Sequence, residues 1–108
     1  MPDAPPPNPV PSDLPLVALV KAIGDPVRWA ILRELAAGEP LMVVEIAQTL
    51  KKSPTLVSKH LVWLRKAGAV VTGRAGLYTI PSRFRPVPGE RVVDYGYCLL
   101  RLDRQQEL

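Results

Sequence analysis

The stretch that most constrains this chain is Glu45 to Gly68, EIAQTLKKSPTLVSKHLVWLRKAG, because two helical patterns follow one another in it with room only for a tight turn between them. Val43, Ile46, Ala47 and Leu50 recur at the i, i+3, i+4, i+7 spacing of one buried helix face. Lys51, Lys52 and Ser53 break that pattern, and Ser53-Pro54 restarts it. A serine hydroxyl there can accept from the first free amides of a helix, and proline has no amide to satisfy at the first helical position. In the second helix Val57, Leu61 and Leu64 share a face, while Thr55, Ser58, Lys59 and His60 fall largely away from it. The stretch reads as a helix-turn-helix with a polar outer face.

A chain of 108 residues with 47% hydrophobic content suits one compact domain with a modest core. The apolar run from Leu14 to Val20 is too short for a membrane span and holds Pro15, and no basic-then-apolar leader opens the chain. A cytoplasmic protein with no membrane partner is expected. Cys98 is the single cysteine, so no disulfide within the chain is possible. Its apolar neighbours favour an inert thiol over a redox switch. The net charge of +4 is unevenly placed: Lys51, Lys52, Lys59, Arg65, Lys66 and Arg74 face only Glu45 between Met42 and Gly76. That concentration suggests a footprint for phosphate, the competing reading being a solvated helix face.

In chain order, residues 1–12 hold six prolines and are expected to form a disordered, polyproline-like arm. The arm has no Lys or Arg with which to enter a minor groove. Ser12 or Asp13 is positioned to cap a helix that takes Pro15 in its first turn and ends near Ile23. Apolar residues surround that helix, more than a small monomer's surface helix needs, which suggests burial against a second subunit as well as a core. Asp25-Pro26 starts another helix, with Ile31, Leu32 and Leu35 facing inward and Trp29 adding to them. Arg28 and Arg33 read as snorkelling or structural hydrogen-bond donors. Ala69 to Pro81 has β-rich runs on both sides of Gly73-Arg74-Ala75-Gly76, the pattern of a hairpin whose tip carries an arginine. That arginine suits a phosphate backbone, or is an incidental charge on an exposed turn. Arg91 to Leu102 reads as one further strand, apolar on both faces.

The runs Gly24 to Leu35, Met42 to Leu50 and Ser53 to Val70 together resemble the ArsR (ArsR/SmtB) family of bacterial winged helix-turn-helix repressors, over about Leu16 to Ile80. Asp25-Pro-x-Arg28 and the Ser58-Lys-His-Leu run before Ala67-Gly68 are the most specific parts. The resemblance implies a mainly α fold with a small antiparallel β wing, four N-terminal helices followed by a hairpin, to which the residues add the further C-terminal strand, all within residues 13–108. It also implies a homodimer that sets two recognition helices into successive major grooves of a palindromic duplex DNA operator, with the wings along the backbone. The base-reading positions then fall on Thr55, Leu56, Ser58, Lys59 and His60, and the wing contact on Arg74. Lys51, Lys52, Ser53, Arg65 and Lys66 take the place of phosphate contacts. His60, three residues after Val57, alternatively only borders the core.

The departures from the family matter as much. Many metal-sensing members keep a Cys-x-Cys where this chain has Met42-Val43-Val44, and others use Asp, His and Glu on a C-terminal helix, where this chain has a strand-like segment. No metal and no cofactor are expected. Without that helix the dimer interface is expected on Leu14, Leu16, Val17 and Val20, joined by Tyr95, Tyr97 and Leu99. An enzyme is not expected, because no nucleophile has a histidine or carboxylate partner set and no glycine-rich phosphate loop follows a strand. The competing class is a winged-helix interaction module. It would expose apolar residues where this helix presents Thr55, Ser58 and Lys59, although Leu56 and Val62 lean toward it.

Overall fold

The computed structural model describes residues 13–87 and 89–103. Four helices come first: α1 (Leu16–Ile23), α2 (Pro26–Leu35), α3 (Val43–Leu50) and α4 (Pro54–Lys66). Two antiparallel pairs of short strands follow, β1 (Val71–Thr72) with β2 (Tyr78–Thr79) and β3 (Val92–Asp94) with β4 (Leu99–Arg101). This is the winged helix-turn-helix architecture expected from the sequence.

The helix starts follow from local chemistry. Asp25 caps α2 by accepting from the Val27 and Arg28 amides at 2.9 and 3.0 Å, with Pro26 next in line. Ser53 Oγ accepts from the Leu56 amide at 3.2 Å at the head of α4. At α3 the Glu45 carboxylate reaches back to the Met42 amide at 2.8 Å. The turn between α3 and α4 depends on Lys51, which takes a left-handed conformation at φ 56° and lets the Lys52 amide close on Ala47 O at 3.0 Å.

α1 differs from the expectation. Pro15 occupies the cap position without any side-chain cap, and the Asp13 carboxylate instead meets Arg83 Nη1 at 3.4 Å. Ser12, the other candidate cap, lies outside the described residues. Leu14 is the reason for the changed entry. Its side chain is buried beneath the turn after α4, where a Cβ on Gly68 would stand 2.6 Å from Leu14 Cδ2. Gly68, at φ 82°, is therefore required twice over, by its backbone and by its neighbour.

The core joins Leu19, Ala22 and Ile23 of α1 to Ile31, Leu32 and Leu35 of α2, Ile46 and Ala47 of α3, and Val57, Leu61 and Leu64 of α4. Ala69 and Val70 close it from below, so only Val71 and Thr72 of the expected run form β1. The wing pairs Val71 with Thr79 and Thr72 with Tyr78, and Leu41 adds one bridge to Tyr78 from the segment before α3.

The C-terminal segment is a hairpin, where a single strand was expected. Val92, Val93 and Asp94 pair with Arg101, Leu100 and Leu99. The turn is made by Asp94, whose Oδ1 accepts from the Gly96 amide at 2.8 Å, and by Gly96 at φ 95°. One glycine inside an apolar run thus folds it back on itself. Val93, Tyr95, Leu100 and Leu102 join the core, and the Tyr95 ring meets Phe84 with centroids 5.1 Å apart. Among the described residues no helix is long and apolar enough to cross a membrane. The proline-rich arm at residues 1–12 lies outside the described residues.

Candidate nucleic-acid interface

α4 sits on the body through Val57, Leu61 and Leu64, all fully buried. Residues on its opposite side therefore face out: Thr55, Lys59, Val62 and Lys66 follow one another at i, i+4, i+7, i+11. Thr55, Lys59 and Lys66 are exposed, as is Leu56 on one flank, while Ser58 and Val62 are half-buried. Four of the five expected base-reading residues thus share an accessible surface.

His60 does not. Its Nδ1 accepts from Arg28 Nε at 3.1 Å and lies 3.8 Å from the Asp25 carboxylate, with only 16% of the side chain exposed. The cause is positional: His60 is three residues after Val57 and four before Leu64, on the border of the buried stripe. The geometry supports the core-bordering reading of this residue and removes it from the outward set.

The positive charges surround the stripe. Lys51 and Lys52 stand at the turn before α4, Arg65 and Lys66 at its end, and all four are exposed. Arg74 stands at the exposed tip of the wing, where the Gly73 amide reaches Leu77 O at 2.8 Å and Ala75 takes φ 60°. The ion pairs among the described residues are Arg83–Asp13, Arg91–Glu34 and Arg101–Asp103, and none uses these cations. Ser53 gives its oxygen to the Leu56 amide and keeps its O–H for an outside acceptor.

Two expected interface residues are internal. Leu14 is buried as described, and Tyr95 is fully buried, its hydroxyl donating to Ala69 O at 2.8 Å. Burial pushes the Tyr95 phenol well above its ordinary range, in keeping with a neutral donor. Leu16, Val17 and Val20 of α1, with Tyr97 and Leu99 of the C-terminal hairpin, are exposed. Tyr97 OH donates to Leu14 O at 2.7 Å, which sets the hairpin turn beside the start of α1. Cys98 is half-buried, and desolvation first, then Asp94, raises its thiol above the ordinary value, away from the reactive thiolate. Among the described residues no three His, Cys, Asp or Glu side chains gather where a metal ion could be held.

Trp63 is the exposed aromatic that sequence reasoning left unassigned. It lies on α4 with the Arg28 guanidinium 5.1 Å from its ring centroid, and its place six residues after Val57 puts it off the buried stripe.

Comparison with known proteins agrees with this geometry. A family model described as a helix-turn-helix domain matches residues 23–73, from the end of α1 to the start of the wing. An uncharacterized HTH-type transcriptional regulator of Methanocaldococcus jannaschii is 40% identical over 60 residues, covering 56% of this chain and 67% of its own. Among solved structures, HlyU from Vibrio cholerae N16961 superposes with a TM-score of 0.55 at 35% identity, over 60% of this chain and 73% of that one. The reduced form of HlyU gives the same score and identity, with 70% of that chain covered.

Proposed function

The chain belongs to the helix-turn-helix transcriptional regulators, and from that premise we propose that it is a dimeric repressor of the ArsR type, reading a palindromic operator. The observation that carries this reading is the outer stripe of α4. Thr55, Ser58 and Lys59 present a methyl, a hydroxyl and an ammonium from the first half of the helix, the part that meets base edges when such a helix enters a major groove. Leu56 adds apolar contact for a thymine methyl. Lys51, Lys52, Ser53, Arg65 and Lys66 flank the stripe and hold phosphates, and Arg74 extends the grip along the backbone from the wing.

The dimer reading is supported by α1, where Leu16, Val17 and Val20, 48%, 66% and 54% exposed, form an apolar face. Tyr97, fastened to Leu14 O, adds to it, with exposed Leu99 on the same hairpin, and a two-fold axis through this surface would present two copies of α4 to one operator.

The test is titration of the protein against a genomic fragment library at two salt concentrations. A subset of fragments retained at the higher salt, sharing an inverted repeat, is the expected result. Equal, weak binding to every fragment, all of it lost at higher salt, would leave the winged-helix interaction module as the better reading. Exposed Leu56 and Trp63 are the residues on which such a module would rely.

A further inference from the structure

Arg28 gathers three helices with one side chain. Its Nη1 donates to the carbonyl oxygens of Lys21 and Ala22, at 3.0 and 3.2 Å, which are acceptors left open at the C-terminal end of α1. Its Nε donates to Nδ1 of His60 at 3.1 Å, and its guanidinium carbon lies 5.1 Å from the Trp63 ring centroid, both residues on α4. Its own amide is held by Asp25 at the head of α2.

We infer that Arg28 is a positioning residue for the DNA-facing helix, fixing the pose of α4 against α1 and α2. The inference rests on the reading of α4 as the helix that meets DNA. The apolar stripe of Val57, Leu61 and Leu64 holds α4 on the body, but burial has no preferred direction. The hydrogen bond to His60 and the contact with Trp63, three residues apart on one side of α4, add the direction that burial lacks. Only a planar, multi-donor cation serves all these partners at once; a lysine ammonium keeps the charge and loses the fork. Base-edge contacts from Ser58 and Lys59 depend on a pose held this closely, whereas phosphate contacts from flexible lysines tolerate a small rotation.

The test uses the full chain and the variants Arg28→Lys and His60→Leu, the second of which leaves the Arg28 bonds to α1 untouched. Two readouts are taken on each: residue-resolved amide exchange, and affinity for a duplex selected by the unmodified protein against a shuffled duplex of equal length. In both variants the Ser58 to Trp63 amides are expected to exchange about tenfold faster, with those of α3 unchanged. Affinity for the selected duplex falls about tenfold while the shuffled duplex is bound as before. The double variant is no worse than the more affected single one, because both break the same link.

Unchanged exchange in α4, or faster exchange spread evenly over all four helices, overturns the inference: the first leaves α4 independent of Arg28 and the second makes Arg28 a general stabiliser. Should the unmodified protein show no preference for any duplex, the DNA reading falls, and the exchange pattern still decides whether Arg28 positions α4.

Discussion

Lys59 and Lys66 carry the same charge on the same outward stripe of α4, two turns and about 10 Å apart, yet their expected roles differ. In the proposed pose Lys59 lies in the half of the helix that would enter the groove, and Lys66, its last residue, would stand beside the flanking backbone. Lys59→Ala should alter which bases are preferred, by about 1–3 kcal/mol at the affected step, while Lys66→Ala should weaken all duplexes alike and lower the salt slope by about one unit. Competitive selection from a randomised library separates the two; an equal loss on every sequence from both would remove Lys59 from base reading. Tyr95 offers a residue-scale test of another kind. Removing its hydroxyl leaves the buried Ala69 carbonyl without that donor, so Tyr95→Phe should destabilise the fold by about 1–2 kcal/mol in urea unfolding and leave the association state unchanged. A shift in association without a change in unfolding would return Tyr95 to an interface.

At the scale of elements, the caps carry most of what could be read in advance. Asp25-Pro26 and Ser53-Pro54 name the starts of α2 and α4 because a short acceptor followed by a residue without an amide solves one local problem, independent of the rest of the fold. The stripe Val57, Leu61, Leu64 equally fixes which side of α4 faces out. Where distant residues decide, the sequence is silent. Nothing near Leu14 announces that it packs against Gly68, and nothing near His60 announces Arg28. The Asp94–Gly96 turn, by contrast, is local, and its apolar neighbours mask it as one continuous strand. The Asp25 cap also carries a pH signature. The Arg28 amide above all, with the Val27 amide and the Arg28 charge, holds its carboxyl below the usual value against the opposing effect of desolvation. A depressed folded value means that the stabilisation is complete above the unfolded pKa of about 3.9 and is lost as pH falls through the folded value. Asp25→Ala should therefore cost about 1 kcal/mol at neutral pH and progressively less in acid, read from urea midpoints at several pH values. A cost that stays constant down to the lowest pH would show that the carboxylate charge has no part in the cap.

At the scale of the whole molecule, the C-terminal hairpin decides which surfaces remain open. It is fastened to α2 by Arg33 Nε donating to Leu102 O at 3.0 Å and by Arg91 within 4.0 Å of Glu34, and it fills the core with Tyr95 and Leu102. Its outer residues Tyr97 and Leu99 stay exposed, and the Tyr97 hydroxyl on Leu14 O sets the hairpin turn beside the start of α1. The segment thus adds an exposed tyrosine beside the start of α1. If the apolar face of α1 is the two-fold interface, a carboxylate at its most exposed aliphatic residue must lose its hydration on association without gaining a partner. Val17→Asp should then yield a folded monomer at protein concentrations of about 10 µM, seen by sedimentation velocity, with helix content by circular dichroism unchanged because the side chain is solvated in the monomer. DNA binding should show the same step: a monomer neutralises half as many phosphates, so its slope of log affinity against log salt falls to about half. A Val17→Asp protein that still sediments as a dimer would place the two-fold axis elsewhere, and an unmodified protein that is monomeric at that concentration would remove the dimer from the proposal.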